Sequence, residues 1–588
     1  MATRYTSIRN SQIILYLLKY HKIRKVIASP GTQNMSIVAS MQSDPFFEIY
    51  SAPDERSAAY LACGLSAESG EPVVLSCTGA TASRNYIPGL TEAFYRKLPV
   101  IALTSTEELC MVGNNIAQVI DRSVIQRDIS KCSVVMPGIK DANDEWKCIL
   151  AANKAILALN HHGRGPVHIN LEKYGTEDFS LSELPACRVI ERIMPDDKFP
   201  ELLNGSRLNI FIGSHPQFSE EATQAIDRFC ELTDSIVLCD HTSGYNGRYR
   251  TDCTLCASQT WYESPELKCD ILIHLGEVSG DYALTGKVGH GCKTVWRISE
   301  DGEIKDTFRK LRYVFEMAPE QFFNKLSESI NSDSFALSRR LATCEKEYQS
   351  IFEKIPELPF SNIWLAKYSS GLIPDNSYIH FGILNSLRSW NLFKLPKTVS
   401  GSSNVGGFGI DGGISTLIGS SLAHPERLHF GVFGDLAFFY DMNSLGNRHV
   451  GHNIRIILVN NAKGTEFRLY QHPASKLGDE CDRFISAGGH YGNKSHDLIR
   501  HFAQDLGFKY LSAANKEEYI EAAQTFFDSD INCGSMLLEV FTDSQDENDA
   551  LYIINNIVKN QGQNLKNKIR GILGDKVSGA LSSIKGKL

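Results

Sequence analysis

Gly434-Asp435-Leu436-Ala437 and, after an intervening stretch, Ile454-Arg455-Ile456-Ile457-Leu458-Val459-Asn460-Asn461 form the passage on which the reading of this chain turns. The second piece is a short run, apolar but for Arg455 and closed by polar residues, the pattern of a buried strand rather than a half-exposed one. An Asp at the end of one strand and an Asn at the end of the next, 26 positions later, can meet on one cation. Hard oxygen donors of this kind suit Mg2+ holding a diphosphate.

Working outward, strand-like runs alternate with helical ones along the whole chain, which predicts parallel sheets covered by helices on both faces. Val26-Ile27-Ala28, Val73-Val74-Leu75, Val100-Ile101-Ala102-Leu103 and Gly165-Pro166-Val167-His168-Ile169-Asn170 read as buried strands of a first domain, with His168 a packed core histidine. A polar stretch from Thr176 to Phe199 reads as a linker. Leu208 to Gly213, Ser235 to Asp240 and Asp270 to Gly276 supply strands of a middle unit, which shows no Gly-rich phosphate fingerprint for FAD or NAD. A charged helical linker around Ser338 to Lys354 leads to the third unit, which holds the Asp435 and Asn461 pair.

Far upstream lies Ser51-Ala52-Pro53-Asp54-Glu55-Arg56-Ser57-Ala58-Ala59-Tyr60-Leu61-Ala62-Cys63-Gly64-Leu65, between a strand ending near Tyr50 and a small-residue helix. On its own, Glu55 reads as an acid stabilising a helix N-terminus. Taken together with the Thr-Gly-rich turn at Thr78 and the distant Asp435 and Asn461, it supports a second reading. The two motifs resemble those of the thiamine diphosphate (ThDP) enzymes.

That resemblance implies that Asp435 and Asn461 are side-chain Mg2+ ligands and that the Lys463 carbonyl completes the metal set. Relatives usually have Gly at the position of Lys463. It also implies that Glu55 hydrogen-bonds the aminopyrimidine ring and drives it to the imino tautomer, which removes the thiazolium C2 proton. Gly31, Gly382, Gly434, Leu436 and Ala437 would complete the cofactor contacts. Gly409 and Gly412 either approach the aminopyrimidine or are plain turn glycines. The implied architecture is α/β: three doubly wound parallel-sheet domains plus a C-terminal amphipathic helical tail. The domains would be a pyrimidine-binding domain over 1–185, a central domain over 186–355 and a diphosphate-binding domain over 356–560, with the basic tail over 561–588. In that family the counterparts of Glu55 and Asp435 meet across a dimer interface, so a homodimer or dimer of dimers is expected.

Ser29-Pro30-Gly31, Asp54-Glu55-Arg56-Ser57, Thr78 to Ala82, Asn404 with Gly409-Ile410-Asp411-Gly412, and Gly434-Asp435-Leu436-Ala437 with Tyr440-Asp441 narrow the likeness. They are similar to the SEPHCHC synthase family of menaquinone biosynthesis, which joins 2-oxoglutarate to isochorismate. The substrate pocket departs from that pattern. The family's Ser-Pro-Gly-Ser-Arg is Ser29-Pro30-Gly31-Thr32-Gln33 here; its Asp-Arg-Pro-Pro-Glu is reduced to Ser105-Thr106-Glu107-Glu108; its Asn-Arg-Gly is Asn404-Val405-Gly406. By the same likeness Gln118 keeps a catalytic-pocket position, Arg388 a cationic one, and Thr32, Gln33, Thr81 and Val405 line the substrate. Losing three charged clamps costs about 1.5–3 kcal/mol each against a polycarboxylate. The expected activity is therefore a ThDP- and Mg2+-dependent 2-oxoacid decarboxylase or carboligase with other substrates, such as a pyruvate-like donor and an aldehyde, ketone or sugar acceptor. The alternatives are SEPHCHC synthase proper and a catalytically silent scaffold.

Bulk properties set the outer bounds. The 588 residues allow three or four domains, and 42% hydrophobic with 22% charged residues is ordinary globular composition. A net charge of −8 gives no reason to expect nucleic acid. The 15 scattered Cys read as reduced thiols of a cytoplasmic protein, and the lone Cys253-x-x-Cys256 lacks a second ligand pair for zinc. In the tail, Leu565, Ile569, Ile572, Leu573, Val577, Leu581, Ile584 and Leu588 recur at helical spacing beside six basic residues and Asp575. Two readings stay open there: peripheral contact with an anionic membrane, or packing on a neighbouring subunit.

Overall fold

The computed structural model describes residues 3–122, 125–203, 205–330, 340–490 and 494–559. The tail expected over 561–588 lies outside the described residues. The chain forms two compact units. One extends to Asp197 and takes in Asp301–Glu316; the other takes in Lys198–Glu300 and the chain from Met317 onward.

The first unit holds a parallel sheet of β1 (Lys25–Ala28), β2 (Glu48–Ser51), β3 (Val73–Cys77), β4 (Val100–Thr106), β5 (Cys132–Met136) and β6 (Val167–Glu172), in the order β2-β1-β3-β4-β6-β5. β3, β4 and β6 are buried along their whole length, as strands covered on both faces must be. Some of their polar side chains pair with one another or with β5. His168 meets Thr104 Oγ1 at 2.8 Å through Nε2 and Ser133 Oγ at 3.0 Å through Nδ1. Burial pulls its pKa down to about 3, so it is a neutral core histidine.

Beside the sheet, helix Glu55–Ser69 starts at an Asp54 cap, whose side chain accepts from the Ser57 N–H, and ends at left-handed Gly70 with φ 69°. Ala58, Ala59, Ala62 and Cys63 form its buried face. That face must be small, because a Cβ on Gly89 of helix Ile87–Tyr95 would lie 2.4 Å from the Ala59 Cβ.

The stretch read as a linker is more ordered than its composition suggests. It carries an antiparallel bridge between Tyr5 and Leu181 and a short strand, β7 (Glu191–Ile193). Three residues are too few to show a period, which is why the strand is invisible in the sequence.

In the second unit, β8 (Leu208–Ile212), β9 (Ile236–Cys239), β10 (Arg250–Asp252), β11 (Cys269–Leu275) and β12 (Cys292–Ile298) run parallel in the order β10-β9-β8-β11-β12. The strand order reverses between β8 and β11, where open sheets of this kind receive ligands. Here the two loops close on each other. The Gly213 N–H donates to the Leu275 carbonyl at 3.0 Å, the Glu277 N–H donates to the Ser214 carbonyl at 2.8 Å, and a Cβ on Gly213 would sit 2.0 Å from the Glu277 carbonyl oxygen. The chain then returns to the first unit at β13 (Leu311–Phe315), which pairs in parallel with β7.

Helix Arg340–Phe352 is anchored rather than free. Buried Arg340 pairs with Glu266 at 2.8 Å and donates to the Leu208 carbonyl at 2.8 Å. Beyond it, β14 (Tyr378–Phe381), β15 (Ser400–Ser403), β16 (His429–Gly434), β17 (Ile454–Asn460), β18 (Lys509–Ala513) and β19 (Met536–Phe541) form a parallel sheet ordered β15-β14-β16-β17-β19-β18. Counted from its own first strand, this is the order of the β1–β6 sheet. The two sheets therefore reverse at equivalent places, between β1 and β3 and between β14 and β16. No helix among the described residues is long and apolar enough to cross a membrane.

Candidate active site

The reversal between β14 and β16 brings several sequence-predicted residues together. Gly382 follows β14, and Asp435 follows β16 as the first residue of helix Asp435–Asp441. Gly434 is paired with Val459 of β17, so the Asn460-Asn461 turn emerges beside Asp435. Asp435 is 4% exposed, and its carboxylate accepts from the Leu436 N–H at 2.8 Å. Burial raises its pKa to about 6, while the backbone N–H groups of Ala462, Asn461 and Lys463 pull the other way. No cationic side chain pairs with it among the described residues. A carboxylate desolvated in this way is unfavourable unless a cation compensates it.

The surroundings fit a cation carrying a diphosphate. The Asn461 side chain makes no hydrogen bond among the described residues, whereas Asn460 is committed inward, donating to Glu539 at 2.7 Å. The Lys463 side chain is turned aside to Asp482 at 2.5 Å, which leaves only its carbonyl for a metal. A Cβ on Gly406, Gly407, Gly412 or Gly434 would meet nothing within 4 Å, so four glycines border open space. Gly412 has φ 91°, a conformation that favours glycine, and a Cβ on Gly409 would lie 2.4 Å from the Asp411 carboxylate. Leu436 and Ala437 form the first turn of the helix after Asp435 and are partly buried.

Two residues that the motif reading did not assign hold this loop. Asp441 accepts from the Ser415 N–H at 2.6 Å and from its hydroxyl at 2.7 Å, which ties helix Asp435–Asp441 to the start of helix Gly413–Ala423. Asn404 spans the loop from the other side, with its side-chain N–H pointing at the Thr416 hydroxyl at 3.1 Å.

Arg388 lies on helix Asn385–Asn391. Its guanidinium pairs with Glu466 at 2.7 Å and stacks 4.5 Å from the centre of the Tyr282 ring. All three line a cavity of about 950 Å³ in the second unit. Val405 is buried, its side chain turned toward Gly280.

In the first unit, the segments after β1 and β3 carry Gly31, Thr32, Gln33 and Thr81, and Glu55 follows β2. Gly31 follows β1, and a Cβ there would lie 2.7 Å from the Thr78 Cβ. Gln33 Oε1 accepts from the Gly79 N–H at 3.2 Å and from the Thr78 hydroxyl at 3.3 Å. Glu55, the first residue of its helix, is partly exposed with no hydrogen bond to its carboxylate among the described residues. The Cys77 thiol at the end of β3, pushed up to about 12 chiefly by burial, also feels the charge of Glu55. Thr32 and Thr81 are exposed, and Gln118 is exposed with φ 64°.

Residues 8–127 match the family described as thiamine pyrophosphate enzyme, N-terminal TPP binding domain. The chain is 30% identical to the 2-succinyl-5-enolpyruvyl-6-hydroxy-3-cyclohexene-1-carboxylate (SEPHCHC) synthase of Bacteroides fragilis over 559 residues, covering 92% of this chain and 97% of that one. The synthase of the same name from Bacteroides thetaiotaomicron is 30% identical over 92% of this chain and 96% of its own. That of Phocaeicola vulgatus is 30% identical over 95% and 100%. With sheets, motifs and near full-length similarity in agreement, the chain belongs to the SEPHCHC synthase family of thiamine diphosphate-dependent enzymes.

Proposed function

We propose that this enzyme is a Mg2+-dependent 2-oxoacid decarboxylase or carboligase whose substrates differ from the isochorismate and 2-oxoglutarate pair. The observation that carries the substrate half of the reading is what occupies the family's arginine positions. Gln33 spends its carbonyl on Gly79 and Thr78, Ser105-Thr106-Glu107-Glu108 carries no arginine, Val405 is buried, and Arg388, the cationic position kept, is paired with Glu466. None of these offers a free cation to a polycarboxylate.

Bound ThDP supplies the electron sink that decarboxylation of a 2-oxoacid requires. In this reading Asp435, Asn461 and the Lys463 carbonyl hold the metal, and Gly382, Gly434, Leu436 and Ala437 border the diphosphate. Gly409 and Gly412 shape the loop over the ring end. Gly31 keeps the loop after β1 close to Thr78, and Glu55 holds a proton at the aminopyrimidine. Gln118, Thr32 and Thr81 face the reactants. The pyrimidine-binding, central and diphosphate-binding domains take 1–185, 186–355 and 356–560. The acting unit is a homodimer or dimer of dimers in the cytoplasm, because Glu55 and Asp435 of different subunits build each site.

SEPHCHC synthase proper is the second reading, favoured by the names of the relatives that match at 30% identity. CO2 release from a panel of 2-oxoacids, with and without acceptors and with ThDP and Mg2+ present, tests the proposal. Release from none of them would remove the decarboxylase reading.

A further inference from the structure

Arg122 is 4% exposed, yet its guanidinium lacks the partners that a buried cation needs. Nε and Nη1 have no acceptor, and Nη2 reaches only the Ser105 carbonyl at a long 3.4 Å. No carboxylate pairs with it among the described residues. The group beside it that could ionise, Cys77, is a thiol held neutral by burial. The other nearby charge is a second cation, Arg84, which donates to the Asp121 carbonyl at 2.8 Å and forms no ion pair among the described residues.

A buried guanidinium without an acid is strongly unfavourable unless an anion joins it, and the exposed Arg84 adds a second positive charge that works against it. The place of Arg122 is informative. A Cβ on Gly79 would lie 3.4 Å from Arg122 Nη1 and 2.9 Å from Gln33 Oε1, so the guanidinium borders the Thr78-Gly79 turn on which Gln33 rests. This is the reversal point of the first sheet, on the side of the strand ends where such sheets receive ligands.

We propose that Arg122, assisted by Arg84, binds a carboxylate of the substrate that is not lost as CO2. The inference rests on the proposed function and deepens it: one arginine outside the replaced clamp positions takes up a carboxylate. The substrate pair then carries one retained carboxylate, on the donor or on the acceptor. Arg122 is thereby a specificity residue. A planar guanidinium suits the bidentate carboxylate geometry.

The test uses the ThDP- and Mg2+-loaded enzyme, the Arg122→Gln variant and the Arg122→Lys variant. Calorimetry compares glutarate with valerate, unreactive acids of equal length that differ by one carboxylate. The wild type should bind glutarate more tightly by roughly 10- to 100-fold, Arg122→Gln should lose that preference, and Arg122→Lys should keep part of it. Kinetics then locate the source. Donors 2-oxoglutarate and 2-oxopentanoate form one pair, acceptors glyoxylate and acetaldehyde the other. Arg122→Gln should raise KM for the carboxylated member of one pair with kcat little changed.

Exchange of the ThDP C2 proton, measured on the same samples, reports intact fold and cofactor activation. Normal exchange in all three proteins with no glutarate preference in the wild type overturns the clamp alone, and is also the result expected if a carboxylate of a second copy fills the site. Normal exchange with equal glutarate preference in wild type and Arg122→Gln overturns it too. Absent exchange in the wild type would instead sink the functional reading beneath it.

Discussion

Asp435 and Glu55 are both acids placed just beyond the end of a parallel strand, yet their settings differ. Asp435 is enclosed, surrounded by backbone N–H groups and without a cation; Glu55 is partly exposed with its carboxylate uncommitted. The first setting suits a permanent metal ligand, the second a group that must meet a ring. Asp435→Ala removes the buried carboxylate beside the Asn461 turn, and should abolish ThDP retention in calorimetry with Mg2+ present. Stoichiometric, tight ThDP in that variant would contradict the assignment. Glu55→Gln should keep ThDP and Mg2+ while slowing C2 proton exchange by about 100-fold or more, and exchange at the wild-type rate would remove the residue from its role. Both acids were legible in the sequence because each sits in a motif. Arg122 was not: a single arginine in an irregular loop has no period and no partner in sequence. Only its burial beside Gly79 and Ser105 singles it out.

Among elements, the joint between helices Asp435–Asp441 and Gly413–Ala423 matters most for the site. The Asp441 carboxylate takes two hydrogen bonds from Ser415, and the glycine loop over 406–413 enters the second helix there. Asp441→Ala should cost about 1–2 kcal/mol, the scale of a lost helix cap. It should lower the melting temperature of the second unit and weaken ThDP binding, with Arg388 and Glu466 untouched. Unchanged melting and unchanged affinity would show that the joint carries no load. The strands β3, β4 and β17 were readable because burial on both faces leaves mainly apolar runs. β7 and the Tyr5 bridge were not, since they are held by backbone pairing that any side chains permit. The closure of the middle sheet between Gly213 and Glu277 was half visible: the absence of a phosphate fingerprint could be read, the backbone contact that replaces it could not.

For the whole molecule, the β1–β6 and β14–β19 sheets have matching strand orders, so each presents an equivalent reversal point. One is lined by Gly31 and Thr78, with Glu55 after the neighbouring β2, the other by Gly382, Asp435 and Asn461. If different subunits supply the two halves of a site, inactive Glu55→Gln and Asp435→Ala proteins should complement each other. A mixed dimer rebuilds one intact site, so unfolding and refolding the two together should restore roughly a quarter of wild-type activity, as random pairing predicts. No recovery in a mixture shown to exchange subunits would place both acids of each site in one chain. The strand alternation made the α/β class legible from sequence alone; the equivalence of the two sheets needed the pairing registers. The substrate remains the central claim, and one measurement addresses it most directly. Enzyme loaded with ThDP and Mg2+ is given isochorismate with 2-oxoglutarate, and separately a panel of other 2-oxoacids with carbonyl acceptors, while CO2 and coupled product are followed together. Turnover of another pair is expected under conditions where isochorismate with 2-oxoglutarate yields little or no product; efficient formation of the SEPHCHC product would overturn the changed substrate.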